Sequence, residues 1–247
     1  MTTRPLVSII TPAYNSSEFI SETITSIIQQ TFTDWELLIT DDCSTDNTVQ
    51  VVRALAKKDS RIKLSRLEQN SGAAVARNEA LERASGRYIA FCDSDDLWAS
   101  DKLERQLAFM QEKQCGLSFT SYNKADNDGN VYRTVHCPSS ISYRQIKRYN
   151  SICCLTAMYD TEVVGKVPLP LLRKRQDWAL WIKVLEKCAI SYGLDEPLGT
   201  YRVRKGSLSK GMKSSIEGNI AVFTEVLGYP RWRAVLRYWL ITFPNKL

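Results

Sequence analysis

Four times in the first 115 residues an apolar, β-prone run is followed by a segment of helical period, and that alternation leaves few folds open. Leu6 to Ile10 reads as a short buried strand that stops at Thr11-Pro12, and Glu18 to Gln30 follows with Ile20, Ile24, Ile27 and Ile28 at helical spacing. Trp35 to Thr40 precedes a helix over Thr45 to Lys57 that carries Val49, Val52, Leu55 and Ala56 on one face. Ile62 to Leu67 precedes an Ala-rich helix, Ala73 to Ala84, with Gly86 placed as its C-cap. The strand that starts at Tyr88 leads to a helix over Asp101 to Lys113, with Leu103, Leu107 and Met110 inward. Successive parallel strands need crossovers, which helices supply, so this rhythm predicts an α/β fold with a mostly parallel sheet covered on both faces.

After Leu117 the rhythm loosens. Leu117 to Tyr122, Leu155 to Tyr159 and Glu196 to Val203 are strand-like, and Asp126 to Asn130 reads as a hairpin turn, since it lacks the closing Glu of a calcium loop. Asp177 opens a helix with Trp178, Trp181, Ile182 and Leu185 on one stripe, and Arg204 to Gly211 is a basic loop. Near the end, Trp232, Val235, Leu236, Trp239, Leu240 and Phe243 keep helical spacing after Pro230, a favoured first helical residue. The expected organisation is a domain over 1–215, with halves at 1–115 and 116–215, and a helical segment over 216–247.

Composition narrows the function. The chain carries 33 basic and 27 acidic residues, with acidic clusters early and basic ones late, so anionic partners are expected for the second half. A net charge of +6 without aromatics interleaved in a basic strip argues for no nucleic acid partner. Seven cysteines without a Cys-x-x-Cys pair suggest neither a disulfide framework nor zinc, and a reduced cytoplasm fits them best. His136 is the single histidine, which leaves Ser/His/Asp chemistry little support. The N-terminus lacks the pattern of a signal peptide, and no apolar run reaches the roughly 18 residues of a membrane span. The phosphate-binding glycine motifs of ATPases and dinucleotide enzymes are also missing.

Two acidic turns carry the chemistry. Asp41-Asp42 and Asp93-Ser94-Asp95-Asp96 each follow a parallel-type strand, so both should emerge on one edge of the sheet, where open α/β folds place ligands. Crowded carboxylates repel unless solvated, bonded to backbone N–H groups or neutralised, and a hard divalent cation takes oxygen ligands. Asp and Ser are also common turn formers and caps, so each turn has a purely structural alternative.

Five motifs in order then resemble one family. Val7-Ser8-Ile9-Ile10-Thr11-Pro12-Ala13-Tyr14-Asn15, Gln29-Gln30-Thr31-Phe32, Asp41-Asp42-Cys43-Ser44-Thr45-Asp46-Asn47-Thr48, Asn70-Ser71-Gly72 with Ala76-Arg77-Asn78, and Asp93-Ser94-Asp95-Asp96-Leu97-Trp98 resemble the nucleotide-binding half of the family 2 glycosyltransferases. The resemblance implies a GT-A fold, a Rossmann-like central sheet flanked by helices, here with a C-terminal helical appendage. It also implies a nucleotide-sugar donor and transfer with inversion. By motif position Tyr14 would stack on the base, Thr11 and Asp42 would contact the nucleoside, Asp42 through the uracil ring N–H, and Arg77 would approach the diphosphate. Asp93 would reach the ribose or the metal, and Asp95 would ligate Mn²⁺ or Mg²⁺.

In the second half Arg175-Gln176-Asp177-Trp178 resembles the family element whose Asp is the general base; on its own Asp177 reads as a helix N-cap. Arg202 and Lys205, with Arg204, match a family loop near the leaving diphosphate. The chain departs from the family at Cys43, where Gly is frequent, at Ser100 for Pro, at Gln176 for an acid, and at Arg204-Lys205 where His is common. Bacterial members that build O-antigen, capsule or teichuronic-type polymers are the nearest in pattern, which implies a lipid-diphosphate-linked saccharide acceptor and a peripheral place on the inner face of the cytoplasmic membrane. The last helix then has two readings, an anionic membrane surface or packing on protein. Rival functions are a phosphohydrolase with Asp93 as nucleophile, which leaves Thr11 and Asp42 without a role, and a nucleotide-sugar-binding scaffold that has lost catalysis.

Overall fold

The computed structural model describes residues 4–204 and 212–242. Lys205 and Phe243 therefore lie outside the described residues.

The first half follows the sequence rhythm. Strands β1 (Val7–Ala13), β2 (Trp35–Asp41), β3 (Ile62–Arg66) and β4 (Tyr88–Phe91) alternate with helices α1 (Ile20–Ile28), α2 (Thr48–Ala56) and α3 (Ala73–Arg83). The strands lie in the order β3-β2-β1-β4 and all pair in parallel. Every residue of β1 and β2 is buried, as a sheet covered on both faces requires.

The second half is mixed, which is why its rhythm was weak. It comprises β5 (Leu97–Trp98), α4 (Lys102–Lys113), β6 (Leu117–Ala125), β7 (Val131–Val135), β8 (Ser140–Ser142), α5 (Tyr143–Ile146), β9 (Met158–Asp160), α6 (Thr161–Val164), α7 (Gln176–Cys188), β10 (Ile190–Arg202), α8 (Met212–Ala221) and α9 (Arg231–Arg237). Strand β9 inserts antiparallel between β4 and β6, β10 runs parallel to β6, and β5, β7 and β8 add antiparallel edges. The expected strand at Leu155 is shorter than the apolar run suggests, because Cys154–Thr156 forms a 3-10 turn before β9.

Successive residues on each inner strand face opposite layers. Ile9, Leu37 and Ile39 pack with Ile20, Ile24, Val52 and Leu103 of α1, α2 and α4, whereas Ile10, Leu38 and Phe91 pack with Leu81, Trp181 and Leu185 of α3 and α7. The C-terminal segment joins the second layer: Phe223 meets the Trp178 ring edge-on at 5.4 Å. Helix α8 crosses residue 215 without a break.

Two local expectations are corrected. Strand β1 continues through Pro12 to Ala13. The carbonyl of Ile10 accepts from Cys92, so the alternation of the ladder turns Pro12 to the same side; β4 ends opposite Ile10, and the missing N–H of Pro12 faces no partner strand. Gly86 is not the helix cap. Helix α3 ends at Arg83 with Ala84 as its C-cap, and Gly86 lies so close to β1 that a Cβ would stand 2.5 Å from the Ser8 backbone nitrogen.

Candidate active site

The site forms at the carboxyl ends of β1, β2 and β4. The Asp42 carboxylate lies past β2 and is 4% exposed. Its Oδ1 accepts from the Ser71 N–H at 2.6 Å, and its Oδ2 accepts from the Gly72 N–H at 2.8 Å and Asn70 Nδ2 at 3.2 Å. Gly72 (φ 91) supplies the left-handed turn that brings these amides round before α3 begins. Three of roughly four acceptor positions are filled, which fixes the carboxylate and leaves capacity for one more donor. Thr11 is fully buried at this edge, and its hydroxyl oxygen has no hydrogen-bond partner among the described residues. Tyr14, one turn further, is 49% exposed. Asp41 is spent on structure, accepting from the Ser44 N–H at 3.0 Å and pairing with Arg66 at 3.3 Å.

Cys43 sits between them at φ 63, a left-handed conformation that explains why glycine is common at this place. The departure from the family pattern is therefore a matter of backbone strain and leaves the carboxylates untouched.

The acidic turn after β4 is held from both halves of the chain. Asp93 accepts from Arg77 Nη2 at 2.5 Å, Asp95 pairs with Arg204 Nε at 2.5 Å, and Asp96 accepts from the Arg202 N–H at 3.1 Å. Burial pushes the Asp95 carboxyl up, with the charge of Asp93 adding to it and Arg204 opposing. Asp96 is pushed well above the usual carboxylate range by burial and by its two acidic neighbours. The turn is thus short of positive charge.

Among the described residues no three His, Cys, Asp or Glu side chains form a closed metal cage. The turn instead suits an ion that takes one or two carboxylates and completes its shell with ligand and water oxygens, the habit of Mg²⁺ beside a phosphate.

Arg77 joins this turn to the second half. It is 8% exposed on α3, and besides Asp93 it donates through Nη1 to Gln176 Oε1 at 3.0 Å. Burial opposes its charge, but Asp93, Cys154 and Asp177 together hold the guanidinium above its ordinary value. Gln176 thus occupies the place of the expected acid by accepting from a cation.

Asp177 is not the N-cap of its helix. The cap position is Arg175, in a left-handed conformation at φ 66, and it makes no side-chain capping bond. The Asp177 carboxylate accepts from Asn150 Nδ2 at 2.8 Å, and the Asn150 amide is oriented by the Ile152 N–H, which donates to Asn150 Oδ1 at 3.2 Å.

The loop after β10 contributes unequally. The Arg202 guanidinium is buried, pairs with Glu22 at 2.6 Å and lies 4.8 Å over the Phe19 ring. Arg204 covers the same ring at 5.1 Å while reaching Asp95. Asn150, Glu22 and Phe19 escaped the sequence reading. Each is a single residue in a stretch without pattern, and only the fold brings it to the site.

Fold and site together define a GT-A glycosyltransferase. The chain belongs to glycosyl transferase family 2, whose model matches residues 8–162. It is 45% identical over 224 residues to TuaG of Bacillus subtilis strain 168, a glycosyltransferase assigned to teichuronic acid biosynthesis, covering 90% of this chain and 89% of TuaG. It is 36% identical over 241 residues to WfgD of Escherichia coli, a UDP-Glc:α-D-GlcNAc-diphosphoundecaprenol β-1,3-glucosyltransferase, covering 96% and 92% of the two chains. In fold it is similar to TarS (residues 1–349) of S. aureus in complex with UDP-GlcNAc, with a TM-score of 0.75 and 24% identity over 94% of this chain and 72% of that one.

Proposed function

We propose that this enzyme is an inverting, metal-dependent hexosyltransferase that moves a sugar from a UDP-sugar to a hydroxyl of a lipid-diphosphate-linked saccharide in bacterial surface polysaccharide synthesis. One observation carries the reading: Arg77 bonds both Asp93 at the end of β4 and Gln176, the neighbour of Asp177, so the nucleotide edge and the candidate base share one site. The relationship to WfgD supports the donor and acceptor classes, and that to TuaG supports a role in surface polysaccharide synthesis.

In this reading residues 1–115 bind the donor. Tyr14 stacks on the base, Asp42 uses its remaining acceptor capacity for the uracil ring N–H, and Thr11 offers its unpaired hydroxyl to the nucleoside. Asp95, with Asp93 beside it, is the ligand assigned to Mn²⁺ or Mg²⁺. When bound, the cation supplies charge neutralisation for the departing diphosphate. Arg204 stands at the same turn and adds positive charge, whereas Arg202 is held by Glu22.

Residues 116–215 then receive the acceptor. Asp177 takes the proton of the acceptor hydroxyl as its oxygen attacks C1, and the nucleotide leaves from the opposite face, which inverts the anomeric centre. Asn150 aims that carboxylate.

The test is calorimetric titration of the purified protein with UDP, GDP and CMP, with and without Mn²⁺. Metal-dependent binding of UDP alone is expected. Preference for GDP would overturn the uracil assignment, and no binding of any nucleotide would overturn the donor site as a whole.

A further inference from the structure

Helix α9 and the π-helical turn that continues it, Tyr238–Thr242, put one face on the protein and leave the other outside. Ala234 and Tyr238 are buried, while Trp232, Leu236, Trp239 and Leu240 are 70, 51, 50 and 66% exposed. These four, with Val235 and Arg231, line a single shallow surface. No other element of the described chain exposes more than two large hydrophobic side chains. Contiguous apolar surface of this kind marks an interaction site.

We infer that this face lies in the interface of an anionic lipid bilayer and so fixes the catalytic domain on the membrane; the inference rests on the lipid-linked acceptor proposed above. Charge selects the partner. After Glu225 the sequence holds no acidic residue, while Arg231, Arg233, Arg237 and Lys246 are all basic. Arg231 lines the face itself, while Arg233 and Arg237 turn back over Tyr229, so an isologous contact would bury two copies of Arg231 on a face with no acidic residue to pair with them, which like charges disfavour. A negatively charged surface is attracted instead. The indoles of Trp232 and Trp239 suit the boundary between headgroup and acyl chain, where an apolar body and a polar N–H are both accommodated.

Residues 231–242 would span roughly 18 Å as a helix at about 1.5 Å per residue, well short of a bilayer core of about 30 Å. Among the described residues no helix is long and apolar enough to cross a membrane. At this length the described segment suits the interface.

The anchorage leads directly to the site. Arg233 and Arg237 lie over the Tyr229 ring at 4.7 and 5.6 Å, Tyr229 stacks on Phe223 at 6.3 Å, and Phe223 meets Trp178, the residue after Asp177. A bilayer holding α9 therefore holds the helix that carries the candidate base, and a lipid-borne hydroxyl would be met at a fixed height.

The test is cosedimentation of the full chain with phosphatidylcholine vesicles, with and without phosphatidylglycerol. Retention on the anionic vesicles alone, reversed by salt, is expected. Trp232→Ala combined with Trp239→Ala should weaken it at least about tenfold, and Arg231→Gln about fivefold. Circular dichroism would show both variants folded, since the changed side chains are exposed. Equal binding to neutral vesicles, or a dimer in sedimentation velocity that the Trp variant dissociates, would overturn the inference. Sugar transfer to a short-chain, water-soluble acceptor analogue reads the functional proposal separately. Normal transfer without vesicle binding would overturn the membrane surface alone; vesicle binding without transfer would support the surface and count against the activity.

Discussion

Lys102 at the start of α4 is fully buried, and among the described residues no carboxylate pairs with it. Its ammonium donates to Gln106 Oε1 at 2.8 Å and lies 4.0 Å over the Trp98 ring. Burial pulls Lys102 down from 10.5 to about 7, with Cys92 opposing weakly. Below pH 7 the lysine is protonated in both folded and unfolded chains, so the fold carries the full cost of the buried charge. Between 7 and 10.5 the unfolded chain binds the extra proton, so stability rises with pH, and above 10.5 the cost is gone. At about 1.4 kcal/mol per unit the shift bounds this cost at about 5 kcal/mol. The indole face returns about 2 kcal/mol, which leaves about 3 kcal/mol.

Lys102→Met keeps the unbranched stem and removes the charge, but it strands the Gln106 carbonyl at a cost of about 1–2 kcal/mol. We expect the variant to be about 1–2 kcal/mol more stable than the parent at pH 6 and slightly less stable at pH 10, a swing of about 2 kcal/mol, since part of the cost persists until the unfolded lysine loses its proton. Urea denaturation of both proteins across this range measures it. Cys115 and Cys188, both pushed up to about 11 by burial, lower stability as pH rises, but they do so equally in the two proteins and cancel in the difference. Parallel stability curves for variant and parent would refute the reasoning.

Two further expectations follow from the bridge across the site. Arg77→Met and Asp93→Asn should each destabilise the fold, and the double-mutant cycle should return a coupling of about 1–2 kcal/mol, below that of a fully buried pair because Asp93 is 32% exposed; additive effects in denaturation would contradict the ion pair. Asn150→Ala removes the donor that aims Asp177 and should lower kcat by about ten- to a hundredfold at unchanged UDP affinity, whereas an equal loss in UDP binding would place Asn150 on the donor side.

The first half was legible because its signals are local. A strand, a turn and a helix each write their own pattern, and four repeats place Asp42 and Asp93 at one sheet edge on the strength of the sequence alone. The second half depends on long-range pairing. Nothing near Leu155 announces that β9 runs antiparallel between β4 and β6, and nothing near Asn150 announces Asp177, which lies in another element. Gly86 shows the same limit: beside a helix end it reads as a cap, and only the sheet reveals that Ser8 excludes a Cβ. Asp177 shows the reverse. Its local reading as a cap fails because Arg175 takes that position, and the carboxylate faces Asn150 instead.

The central claim is that one site is assembled from two halves, a nucleotide edge and the carboxylate of Asp177. The most direct measurement is UDP affinity and sugar transfer in the Asp177→Asn variant, made side by side with the parent enzyme. The account predicts unchanged UDP binding with turnover reduced by about a hundredfold or more, the range that a general base supplies. Turnover at the parental rate with UDP still bound would contradict it.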